Sequence, residues 1–202
     1  MAKFKIEAKN LRKIAEQIER RKVPAEKALE ATVRDMRSRV PGFVAGEVTG
    51  VYNIKKSEVM PAKINKKTGK LGKTAGTVRV IGKTVTGLEV VYTGRLLTPT
   101  HFGMRPKKLA KTKRGRRAPI TAEIKKGQRK QLHPDAFLGS NKGGGYIPFR
   151  RHTNKAYPIY AIKTLSMPQM VQNEIVYKKI SNKVNSELEK RLAHNVKRFL
   201  DK

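Results

Sequence analysis

The stretch Tyr157-Pro158-Ile159-Tyr160-Ala161-Ile162-Lys163-Thr164-Leu165-Ser166-Met167-Pro168-Gln169-Met170 decides the fold, because an extended apolar run meets a helix start within it. Ile159, Ala161 and Ile162 belong to the run. Ser166 offers an N-cap hydroxyl, Gln169 stands at N3 to complete a capping box, and Leu165 at N′ is placed to staple onto Met170 at N4. Pro168 falls in the first turn, where its missing N–H costs nothing. From there the pattern predicts a single helix of roughly thirty residues.

The chain before this joint supplies elements for it to pack on. Residues 10–22 read as a helix capped by Asn10, with Leu11, Ile14, Ala15 and Ile18 on one face. A second helix begins near Pro24 and carries a stripe of Ala25, Ala28, Leu29, Thr32, Val33 and Met36 until Pro41-Gly42 stops it. A third has Val44, Val48, Val51 and Tyr52 in register, although Gly46 and Gly50 each cost about 1 kcal/mol against alanine.

Extended segments follow. Thr77 to Ile81 and Leu88 to Tyr92 answer each other across Gly82 to Gly87 as a hairpin. Leu96 to Phe102 reads as a strand that Pro99 pushes to an edge or a bulge. Pro119 to Ile124, Ala136 to Leu138, Tyr146 to Phe149 and Tyr157 to Ile162 bring the total to about seven short strands. The fold class is therefore α+β, with a mainly antiparallel sheet or small barrel between helical ends. Three regions follow: 1–56 helical, 57–165 a β-rich core with basic loops at 61–75 and 105–118, and 166–202 the terminal helix. At 202 residues they suit one structural domain overall.

Charge is the dominant compositional fact. The chain has 47 Lys and Arg against 15 Asp and Glu, a formal +32. Such a field repels copies of itself and attracts polyanions or acidic protein surfaces. Twelve Lys or Arg and one acid, Glu123, lie within residues 105–130, and nine with one acid lie between Lys55 and Lys83. Neither run contains Phe, Tyr or Trp, so any contact with nucleic acid is expected to be with phosphates rather than bases. The polyanion or acidic-partner set is Lys66, Lys67, Lys70 and Lys73 in the first run, and Lys107, Lys108, Lys111, Lys113, Arg114, Arg116 and Arg117 in the second.

Other classes of function find little support. The chain has no cysteine, and His101, His133, His152 and His194 lack ligand spacing, so no metal site and no cofactor is expected. No apolar run approaches a membrane span and no leader-like segment opens the chain, which predicts a protein made in the cytoplasm without membrane contact. Gly69-Lys70-Leu71-Gly72-Lys73-Thr74 ends like a phosphate-cradling loop, but the required first glycine is Lys67. His133-Pro134-Asp135 is a turn before a strand. With no nucleophile beside a base and no paired carboxylates, no enzyme is expected.

The order of landmarks resembles the minor tail protein Z, or tail completion, family of tailed bacteriophages and prophages. The likeness rests on Leu96-Leu97-Thr98-Pro99-Thr100-His101-Phe102, Lys125-Lys126-Gly127, Ala136-Phe137-Leu138, Ile147-Pro148-Phe149-Arg150-Arg151, and Pro158-Ile159 leading to Leu165-Ser166-Met167-Pro168-Gln169-Met170 before a long charged helix. It implies a structural virion protein of the tail or neck, at the head-proximal end, that completes the tail and joins it to the capsid as a ring around the DNA channel. Copies of itself and neighbouring tail, neck or connector proteins would be its partners, with DNA held through non-specific phosphate contacts. A small basic nucleic-acid-binding protein of ribosomal or chromatin type is the alternative that composition alone leaves open.

The terminal helix carries Val176, Ile180, Val184, Leu188, Leu192, Val196 and Leu200, spaced by four throughout. Each step overshoots a full turn by roughly 40°, so the stripe winds about 240° and no single flat surface covers it. Two outcomes are open. The helix bends near Asn182 or Asn185 and folds wholly on its own domain. Otherwise Ile175, Val176, Ile180 and Val184 pack on the sheet, while Leu188, Leu192, Val196, Phe199 and Leu200 meet another subunit.

Overall fold

The computed structural model describes residues 2–5, 22–62, 67, 74–82, 84, 87–109, 117–141 and 144–200. The helix expected at 10–22 lies almost wholly outside them. The architecture is α+β with small antiparallel sheets and a long C-terminal helix.

Helix α1, Lys22–Val51, is one uninterrupted element where two helices were expected. Pro41 lies inside it and does not stop it. An interior proline costs about 3 kcal/mol, but burying a single valine returns roughly 1.5–3, and Val40 and Val44 on either side are both fully buried. Packing therefore carries the helix through the proline. Ala28, Thr32, Met36, Val40, Val44, Val48 and Tyr52 are buried at a constant spacing of four. Beyond α1 comes the short helix α2, Lys56–Val59.

Three sheets follow. In the first, β1 (Ala2–Lys5), β2 (Gly76–Ile81) and β3 (Glu89–Gly94) pair in the order β1-β3-β2, all antiparallel. The expected hairpin is β2–β3, with Val78 opposite Tyr92 and Val80 opposite Val90. Those four side chains are buried and join the same core cluster as α1. The second sheet pairs β4 (Thr121–Glu123) with β5 (Arg129–Gln131), an exposed basic strand that carries no apolar signal. The third orders β6 (Phe137–Ser140), β7 (Tyr146–Arg151) and β8 (Ile159–Ala161) as a meander. Separate small sheets thus stand where one sheet or barrel was expected.

Leu96 to Phe102 is not a strand. Pro99 begins a 3-10 turn, Pro99–His101, and only Leu96 retains a β-bridge, to Ser166. The reason is the proline's fixed φ and missing donor, which suit a turn's first position and not a ladder.

At the decisive joint the capping box forms: the Ser166 N–H donates to Gln169 Oε1 at 2.8 Å, and the Ser166 hydroxyl accepts from the Gln169 N–H at 3.4 Å. Helix α3, Met167–Gln172, then ends at Asn173, and α4, Glu174–Leu200, begins at once. The thirty-residue helix is therefore broken at Asn173, while Asn182 and Asn185 lie inside an unbroken α4. The start of α3 sits on two glycines. A Cβ on Gly76 would lie 2.3 Å from the Thr93 carbonyl oxygen and 2.9 Å from Met167 Cβ, and one on Gly94 would lie 3.0 Å from Met167 Cβ.

Helix α4 runs antiparallel to α1. Asn195 meets Thr32 and Asp35, Arg39 meets Glu187 at 3.3 Å, and Lys183 meets Glu47 at 3.2 Å, so positions ascend on one helix as they descend on the other.

Two glycines separate propensity from packing. Gly46→Ala, where a Cβ meets no atom within 4 Å, should stabilise the protein by about 1 kcal/mol and raise the melting midpoint by about 2–4 °C. Gly76→Ala should destabilise it by about 3 kcal/mol, because backbone must move. Thermal melts of the two variants check both signs.

Candidate functional site

Two of the five residues expected at subunit contacts, Leu188 and Leu192, are buried within the single chain. They are 0% and 1% exposed, buried with Val176, Ile180 and Val184. Val196 and Phe199 are half-buried, the Leu200 side chain lies outside the described residues, and Ile175, expected on the sheet, is 60% exposed. After Leu192 the buried position is Asn195 instead of Val196. A step of four would rotate the stripe a further 40° or so, whereas a step of three brings it back by about 60°. The Asn195 amide then donates to Thr32 Oγ1 at 3.1 Å and lies 3.3 Å from Asp35 Oδ2, so its burial leaves its donors satisfied.

Of the basic set, Lys67, Lys107, Lys108 and Arg117 fall among the described residues; the latter three are exposed and Lys67 lies in a turn. Lys66, Lys70, Lys73, Lys111, Lys113, Arg114 and Arg116 lie outside them. The ends of the second run are pinned together. Arg105 and Thr121 exchange two backbone hydrogen bonds of 2.8 Å, so the chain leaves and returns to β4 at one place. On the β4–β5 hairpin Arg129 donates to the Gly103 carbonyl at 3.0 Å and lies 3.3 Å from Glu123 Oε2, which makes that cation structural.

Of the Gly69–Thr74 stretch only Thr74 lies among the described residues, and His133-Pro134-Asp135 forms a turn. Thr74 Oγ1 lies 2.6 Å from the carbonyl oxygens of both Glu58 and Gly76, to one of which it donates, so its hydroxyl serves the local fold. At His133-Pro134-Asp135 the Ala136 N–H donates to the His133 carbonyl at 2.9 Å, and β6 follows. Two tyrosines are held neutral in the core. Burial, with the nearby Tyr177, pushes the Tyr92 phenol far up, and burial raises Tyr52.

A groove that sequence reasoning missed lies between the 95–101 segment and the β6–β7 hairpin, with a volume of about 470 Å³. Arg95, Leu96, His101, Ile147 and Lys163 are among its walls, and among the described residues no carboxylate lines it. His101 is already engaged, its Nδ1 2.5 Å from Glu58 Oε2. A signal was present in the sequence: residues 136–173 hold five Lys or Arg and no Asp or Glu. It was spread too thinly to stand out beside the two dense runs.

Among the described residues no cluster of His, Asp or Glu is arranged to hold a metal, and no helix is long and apolar enough to cross a membrane. Compared with known protein families, with curated proteins and with solved structures, the chain finds no match.

Because Leu188 lies in the chain's own core, Leu188→Ala should cost about 2–5 kcal/mol in urea unfolding. The midpoint should not move with protein concentration. A concentration-dependent midpoint would mean that the leucine is buried between copies.

Proposed function

We propose that the protein is a structural component of a phage tail or neck, at its head-proximal end, completing the tail and joining it to the capsid as a ring of copies around the DNA channel. In this role it turns over no substrate and needs no cofactor. One observation carries the reading: the separate stretches on which the family resemblance rests are tied into one hydrogen-bonded unit. Leu97 and Leu165 are joined through the Leu97 N–H at 3.1 Å, and the Thr164 N–H returns to the Leu97 carbonyl at 2.7 Å. The Ile162 N–H donates to Pro148, Phe137 pairs with Phe149, and the Glu123 N–H donates to Phe102 just ahead of Lys125-Lys126-Gly127. Shared landmarks that build one body support a shared scaffold role. The surplus of cations supports work beside DNA or acidic subunits.

Negative-stain imaging of the purified protein, with antibody labelling of virions, tests the reading. Rings, and label at the head–tail junction, are expected. Monomers that bind only ribosomes or chromatin would overturn it.

The second basic run faces DNA or an acidic neighbour in this assembly. Affinity for duplex DNA should fall with salt at a log–log slope of about −0.9 per phosphate neutralised. Replacing Lys107, Lys108, Lys111, Lys113, Arg114, Arg116 and Arg117 by Ser should flatten that slope and leave the melting midpoint in place. An unchanged slope would assign the DNA contact to other cations.

A further inference from the structure

We infer that the groove between the 95–101 segment and the β6–β7 hairpin is a docking site for an extended acidic segment of another protein, which adds as a strand along Leu96. The backbone is the first reason. Leu97 uses both its N–H and its C=O on the 164–165 segment, so by strand alternation the N–H and C=O of Leu96 and the N–H of Thr98 turn away from that pairing. None of these three has a partner among the described residues. Although no regular strand forms there, these free groups of an extended stretch can pair with an incoming extended chain.

The side chains set what that chain must bring. Leu96 is 46% exposed although leucine beside a β-bridge ordinarily lies in a core, and Ile147 stands across the groove from it, half-buried. An apolar side chain of the incoming strand fits between them. Arg95 and Lys163 are exposed on the groove walls, and the carboxylate nearest in role, Glu58, is taken up by His101. The incoming strand therefore carries Asp or Glu on the residues flanking its apolar anchor. In a strand, neighbours alternate in direction, so an acidic–apolar alternation satisfies both demands.

Nucleic acid fits less well. Among the described residues no Phe, Tyr or Trp lines the groove for a base to stack on, and a phosphate backbone has no donor for the Leu96 C=O and nothing for the apolar gap. The inference rests on the groove alone and does not require the protein to be part of a tail.

The test uses the full-length protein and a fluorescein-labelled peptide of about eight residues alternating Glu and Val. Anisotropy should report saturable binding, and hydrogen exchange at Leu96 and Thr98 should slow on addition of peptide. Arg95→Ser with Lys163→Ser, both at exposed positions, should weaken binding by about tenfold or more without shifting the melting midpoint. Methylating alternate backbone nitrogens of the peptide should weaken it similarly, because the strand pairing is lost. Three results would each overturn the inference: no binding at millimolar peptide, undiminished binding by the double variant, or equal competition from polyglutamate or oligothymidylate. Rings in the microscope without peptide binding would sink this docking site alone. Peptide binding without rings would sink the tail assignment alone.

Discussion

Two buried stripes with the same spacing hold this protein together. Ala28 to Val48 on α1 and Val176 to Leu192 on α4 each place a buried residue every fourth position, and the two helices lie antiparallel. A row spaced by four slants across its helix, so a flat surface would lose it after two or three steps. A partner helix with an equally slanted row follows it further, and β2, β3 and α3 cover what the partner cannot. Once this pairing is in place, Pro41 and the glycines of α1 are tolerated, because the burial along the stripe exceeds their cost.

The joint at Ser166 depends on that pairing. Leu97 ties the incoming chain to residues 164–165, the capping box starts α3, and Gly76 and Gly94 leave room for Met167 on the sheet. Asn173 then redirects the chain so that α4 can lie along α1. The third sheet, by contrast, stays half-exposed on most of its residues and adds little to the common core.

The acids are few, and many of those described are spent inside the chain. Glu47 and Glu187 fix the register of the helices, Glu123 holds Arg129, and Glu58 holds His101. Exposed ion pairs of this kind contribute little stability each, commonly under about 1 kcal/mol. Their consequence is electrostatic: these acids are already engaged, in a chain whose formal charge is +32. A field of that size attracts polyanions and acidic surfaces.

Much of this was legible in the residues. The β2–β3 hairpin, the capping box, the strands at β6, β7 and β8 and the α+β class follow from local pattern, because turn chemistry, alternation and capping act over a few positions. The continuity of α1 through Pro41 was not legible, since the compensating burial comes from α4, more than a hundred residues away. Nor was β5, whose residues are held by pairing with β4 rather than by any apolar signal of their own. The spacing by four was visible in α4, yet its partner was not, and the choice between another subunit and the same chain belonged to packing. The groove at Leu96 lay equally out of reach. Arg95 and Lys163 are far apart in sequence, and only the tertiary fold sets both on the walls of one groove.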